Sequence, residues 1–205
     1  MTVDQEFVEK ARRLAWAVKL GYRRRRLADR KPWKVKSFDF RKLAGDEGWV
    51  YLSSGHFSRV YAHLEFPDYV VKVSGPAHFG ELSRGIPQRR ARQDAWPTYA
   101  EYCRDNPHKH LPEILHFERM SMSFAWGIMP RYYKAPPTKS GRVASRWHAY
   151  LNEEEPAPEW LWPIIGMCRS LNMQIDLHDE NVMLDKNGIM KLTDPFSGYE
   201  DDDLY

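Results

Sequence analysis

The stretch IDLHDENVMLDKNGIMKLTDP, residues 175–195, decides how the chain is read. Two short apolar runs, VML and IMKL, flank Lys186-Asn187-Gly188, and an Asn-Gly pair between such runs predicts a β-hairpin. A hairpin brings its own ends together. Asn181 heads the first strand and Asp194 follows the second, so both are expected to project into one small space. Asp176 lies five positions before Asn181, in the turn after a helical pattern. An amide oxygen and a carboxylate are hard donors, suited to a Mg²⁺ ion that keeps its other sites for water and phosphate. Asp176 is near enough to accept a proton from an attacking hydroxyl. Standing alone, the same residues also describe an Asx-rich turn around a hairpin, so the rest of the chain has to decide.

A second constellation lies upstream, in LSSGHFSRVYAHL and YVVKV, residues 52–73. Gly55, at a turn between two strand-like runs, lets the backbone approach an anion, and neighbouring N–H groups can bind phosphate oxygens. Lys72 interrupts an apolar run, where an ammonium group needs a partner or a way out to water. On the pocket side of a strand it would hold phosphates, balanced by a carboxylate from the following helix.

Between and around these motifs the texture changes several times. Phe7, Leu14, Ala15, Val18 and Leu20 recur at near-helical spacing, which predicts an amphipathic helix over residues 4–28. Lys31-Pro32 ends it and opens an irregular link to about Glu47. WVYLS, SRVYAHL and YVVKV then predict a three-stranded meander, broken at Ser54-Gly55 and at Pro67-Asp68. Residues 92–104 look helical, and EILHFER with SFAWGIM predicts a strand pair ending at Pro130. Residues 135–142, APPTKSGR, look like a loop. Helical patterns follow near 143–152 and 158–172, the second tolerating Pro163 only in its first turn or as a kink.

At 205 residues, 42% hydrophobic and with eight tryptophans, the chain can bury a core and is not expected to be disordered. No run approaches a membrane span, and the first residues lack a signal peptide's apolar core, so a cytoplasmic location is expected. Cys103 and Cys168 are expected to be buried free thiols. Residues 1–45 hold fourteen Lys/Arg against five Asp/Glu, a balance of +9, which with a whole-chain charge of +3 leaves −6 for the remainder. Such an arm is a docking candidate for nucleic acid or an acidic protein face; a solvated amphipathic helix explains it as well.

The ordered set resembles a protein kinase: glycine turn, strand lysine, helix, two strands, helices, then D-x-x-x-x-N and a later Asp. GHFSRVY, VVKV, LHDENVML and TDP are similar, over roughly residues 45–200, to the early serine/threonine kinases of T-seven-type short-tailed phages. The resemblance implies an α+β, two-lobed fold with a β-rich N-lobe and a reduced, mostly helical C-lobe. It divides the chain into a basic helical extension (1–46), an N-lobe (47–130) and a truncated C-lobe (131–205). It implies Asp176 as catalytic base, His178 where a lysine is usual, and Asn181 and Asp194 as Mg²⁺ ligands. Lys72 would orient the phosphates of ATP, with Val60 and Val70 above the adenine and Met183 below it. Ser53, Gly55, Ser58 and Met129 complete the expected nucleotide contacts. The carboxylate partner of Lys72 would be Glu101 or, failing that, Asp94.

The chain departs from the family in three places. Ser53 and Ser58 replace two of the three loop glycines, and Pro195-Phe196 replaces the usual Phe-Gly. Only eleven residues follow Asp194, leaving no room for the helices that dock peptides in ordinary kinases. The implied activity is Mg²⁺- and ATP-dependent phosphorylation of host proteins, RNA polymerase and RNA-processing enzymes among them. Two other readings stay open: a small-molecule phosphotransferase, and a non-enzymatic pseudokinase that binds a host or defence protein.

Overall fold

A computed structural model describes residues 3–30, 47–54, 58–75, 92–121 and 124–200. Gly55 and most of the irregular link expected before Glu47 lie outside the described residues. The architecture is α+β and divides into two compact units, one of residues 1–85 and 115–129, the other of 86–114 and 130–205. These differ from the boundaries at 46 and 130. The first helix belongs with the sheet, not to a separate extension, and residues 86–114 belong with the second unit.

The first unit is a five-stranded sheet and one long helix. Strands β1 (Trp49–Ser54), β2 (Ser58–His63) and β3 (Phe66–Ser74) form the expected antiparallel meander. Two further strands from the far side of the inserted segment, His116–Ser121 and Phe124–Pro130, pair with each other and complete the sheet. With β4 assigned to Arg92–Gln93 and these two as β5 and β6, the strand order is β1-β2-β3-β6-β5. Pro67-Asp68 does not break β3 as expected. The chain turns earlier, at Leu64-Glu65, and Pro67 falls where the β2–β3 register shifts between Ala62 and His63. A bulge accepts a proline because no ladder bond is required of it there.

Helix α1 (Gln5–Arg30) lies on one face of this sheet. Phe7, Val8, Ala11, Leu14, Ala15, Val18 and Tyr22 recur at the helical period and meet Trp49, Tyr61, Val71, Val73, Phe124, Trp126 and Ile128. Phe7 stacks on Phe66 with ring centroids 4.6 Å apart. Polar ties frame the seam: Arg12 bonds Glu118 at 3.2 Å, and the buried Lys19 ammonium donates to the Met120 carbonyl at 3.1 Å. Leu20, expected in the apolar stripe, is 56% exposed, on the opposite side of the helix.

The second unit contains α2 (Trp96–Asp105), α3 (Pro137–Leu151) and α4 (Trp162–Ser170), with two small sheets. The hairpin forms as expected from β9 (Val182–Leu184) and β10 (Met190–Leu192), joined by a third strand, β7 (Tyr133–Lys134), in the order β10-β9-β7. Asp185 sets its turn by accepting the N–H groups of Asn187 and Ile189, each at 2.9 Å, and Gly188 takes φ +76°. The other sheet is β4-β11-β8, with β8 at Met173–Ile175 and β11 at Phe196–Glu200. α3 begins inside the segment expected to be a loop. Pro137 occupies its first turn, where the missing N–H costs nothing, and Gly141 is carried within the helix. Pro163 sits in the first turn of α4. Cys103 and Cys168 are buried free thiols, as expected, and burial pushes the Cys103 thiol up to about 12. Among the described residues no helix is long and apolar enough to cross a membrane.

The core assignment makes Phe7→Ala costly, about 3–5 kcal/mol, and Leu20→Ala nearly neutral, within about 0.5 kcal/mol, by urea denaturation. A second expectation concerns pH. Burial lowers the pKa of His116 in the first unit, outweighing the opposite pull of Glu118, and that of His108 in the second. The unfolded chain therefore binds protons before the folded one, so stability is present above the ordinary value of 6.5 and is lost as pH falls below it. Melting temperature should drop between pH 7 and 5, and His108→Phe and His116→Phe should each flatten that slope.

Candidate active site

Strand alternation sorts the side chains of the first unit. Val71 and Val73 point into the α1 core, so Val70, Lys72 and Ser74 face the other way. The β2–β3 register places Ser58 opposite Ser74, Val60 opposite Lys72 and Ala62 opposite Val70. Ser53 pairs with Val60 across β1 and β2. On β6, Phe124, Trp126 and Ile128 belong to the core, which turns Ala125, Gly127 and Met129 to the side of Lys72. Six expected nucleotide residues, Ser53, Ser58, Val60, Val70, Lys72 and Met129, therefore share the face away from α1. Lys72 is only 5% exposed. Its cross-strand partner on β2 is Val60.

In the second unit the hairpin closes as its sequence requires. The Asn181 carbonyl accepts both the backbone N–H of Thr193, at 2.9 Å, and its hydroxyl, at 3.0 Å. This pair of bonds fixes the head of β9 against the residue that precedes Asp194. The Asn181 side-chain NH₂ donates to the Asp176 carbonyl at 2.6 Å, and the Asp176 N–H donates to the Pro195 carbonyl at 2.9 Å. The backbone of Asp176 is thus held on both sides, while its carboxylate stays exposed.

His178 caps the short 3-10 turn Asp179–Asn181. One ring nitrogen lies 3.3 Å from the Glu180 N–H and the other 3.1 Å from the Asn181 NH₂. A neutral imidazole has a single acceptor nitrogen, so it can satisfy only one of these donors. Met183, half-buried, alternates with the fully buried Val182 and is cross-strand from Lys191.

Glu101 lies on α2 and is half-buried, while the helix buries Trp96, Tyr99, Ala100 and Cys103. Asp94 accepts the Trp96 N–H at 3.0 Å as α2 begins. Both belong to the second unit and Lys72 to the first.

Three supports carry no signal in the sequence. Thr193 had no assigned role beyond its place in TDP. The Tyr99 hydroxyl donates to the Leu192 carbonyl at 2.6 Å, and the Leu192 N–H donates to the His110 carbonyl at 2.8 Å. Burial first, then Cys103, Asp194 and Tyr132, push the Tyr99 hydroxyl well above its ordinary pKa of 10.0, so it stays a donor. A tyrosine in a helix and a histidine in a loop belong to no motif that would have announced these contacts.

The donor chemistry fits Mg²⁺. Asn181 spends its NH₂ and its carbonyl on the fold, and its side-chain oxygen makes no hydrogen bond among the described residues. With the Asp194 carboxylate it offers two hard oxygens, a number that suits an ion retaining water and phosphate. Among the described residues there is no group of three or more His, Cys, Asp and Glu that could hold a metal by themselves.

No protein-family model matches the chain, and no curated protein does. Among solved structures it is similar to Rad53 1-466 in complex with AMP-PNP, with 15% sequence identity and a TM-score of 0.35. That match covers 72% of this chain and 38% of the Rad53 chain. A likeness of this size carries no conclusion about activity.

The role given to Tyr99 can be checked by stability. Tyr99→Phe removes the donor to a carbonyl at the buried end of β10 and should cost about 1–3 kcal/mol in urea denaturation. A neutral outcome would mean that this bond does not support the strand leading to Asp194.

Proposed function

We propose that the chain is a Mg²⁺- and ATP-dependent protein kinase acting on serine or threonine hydroxyls. The observation that carries this reading is the bonding of Asn181, which ties Asp176 to the segment leading into Asp194 and leaves a side-chain oxygen for a cation. The common face of Ser53, Ser58, Val60, Val70, Lys72 and Met129 supports it independently.

In this reading Val60, Val70, Met129 and Met183 contact the adenine. Ser53, Gly55 and Ser58 cover the phosphates and Lys72 orients them, with Glu101 or Asp94 as its carboxylate partner. Asn181 and Asp194 would hold Mg²⁺, which when bound neutralises charge on the phosphates. Asp176 orients the acceptor hydroxyl and takes its proton as the new O–P bond forms and the bond to the ADP oxygen breaks. His178 stands beside it in the usual place of a lysine. Positioning and electrostatics supply most of the acceleration in such transfers.

The resemblance to short-tailed-phage kinases extends the reading to host proteins in the cytoplasm of an infected cell, including RNA polymerase and RNA-processing enzymes.

Asp176→Asn separates catalysis from binding, because Asp176 touches the acceptor hydroxyl and not the nucleotide. It should keep the rise in melting temperature caused by Mg-ATP while lowering phosphoryl transfer by about 10²–10⁴-fold. Lys72→Met should lose the thermal shift itself, which at a hundredfold excess over Kd corresponds to about 2.7 kcal/mol. Full activity in Asp176→Asn would remove it from the mechanism.

A further inference from the structure

The outer face of α1 has side chains that the fold does not explain. The inner face is fully used against the sheet. Opposite it stand Trp16, 45% exposed, and Leu20, 56% exposed, four positions apart and so adjacent on one ridge. Arg13, Arg23 and Arg24 flank them, all exposed. Trp16 serves the fold in one local way, with the buried Lys19 ammonium 4.8 Å from its ring. Leu20 has no such use, and an exposed apolar pair gains nothing from water.

We infer that this ridge docks an acidic amphipathic helix of a partner protein, apolar side chains against Trp16 and Leu20 and carboxylates against the three arginines. Charge complementarity selects an acidic partner, since the flanking cations repel a basic one. The apolar pair selects protein over nucleic acid. Leucine neither stacks on bases nor pairs with phosphate, whereas an apolar seam flanked by charges is how two helices recognise each other. From Arg13 to Arg24 the ridge runs about 16 Å at 1.5 Å per residue, three turns of a partner helix. Tryptophan and arginine are also the residues that most often dominate interface energies. The inference concerns the face of α1 away from the sheet and is independent of the proposed kinase activity.

The test uses the whole chain and fluorescence anisotropy with four labelled probes. These are a helical peptide with leucines at a 3-4 spacing flanked by glutamates, its lysine counterpart, a random-sequence DNA duplex, and anionic phospholipid vesicles. The acidic peptide should bind best, with affinity falling as salt rises. Leu20→Ala, which leaves Lys19 and the core untouched, should weaken it about tenfold. Arg23→Glu with Arg24→Glu should abolish it and shift preference towards the lysine peptide. Circular dichroism and melting temperature should be unchanged in both variants. Stronger binding to DNA or vesicles than to the acidic peptide would overturn the inference. So would no peptide binding at about 100 μM, near the weak end of the millimolar-to-micromolar range, or binding indifferent to the substitutions.

Discussion

Asn181 spends nearly all its polar capacity on holding other residues. Its carbonyl accepts twice from Thr193, and its amide donates to the backbone of Asp176. Together with the Asp176 N–H bond to the Pro195 carbonyl and the Ile175–Phe196 pairing, those bonds hold the segments of the two carboxylates beside it, Asp176 and Asp194, in one arrangement. The bonds are short-range in space but span the hairpin, so they exist only because β9 and β10 pair in the observed register. Tyr99 and His110 then anchor the end of β10 through the two backbone groups of Leu192. A few hydrogen bonds, each worth roughly 1 kcal/mol net, turn a polar hairpin into a defined set of oxygen donors.

The first unit reaches a comparable definition by different means. There the constraint is the period of two along each strand, combined with a helix that claims one face. Once α1 packs on Tyr61, Val71, Val73, Trp126 and Ile128, the intervening residues have no choice of side. Lys72 faces away from that core because Val71 and Val73 belong to it. The charged side chain that looked misplaced in VVKV is a consequence of alternation.

Much of this was legible in the sequence, and the failures have physical reasons. The hairpin was readable because Asn-Gly chemistry and apolar flanks agree, and the meander because its strands are β-branched and regularly broken. The β2–β3 turn was misplaced because Pro67 looks like a break, although a bulge admits it. Leu20 was misassigned because near-helical spacing tolerates one residue of drift, enough to move a side chain from the buried stripe to the outer ridge. The start of α3 was missed because Pro and Gly signal loops, yet a proline in the first turn is compatible with a helix. Strands β4, β7, β8 and β11 run only two to five residues, too few for a pattern. The ties made by Thr193, Tyr99 and His110 depend on tertiary position alone.

Every proposed role converges on one reaction, so the most direct measurement is the fate of the γ-phosphate. The purified chain would be incubated with γ-labelled ATP, Mg²⁺ and a bacterial lysate, and the labelled proteins subjected to phosphoamino-acid analysis. Label is expected on serine or threonine of lysate proteins, absent when Mg²⁺ is chelated and absent when the chain is omitted. Label confined to small molecules, or none on any protein despite saturating Mg-ATP, would contradict a protein kinase.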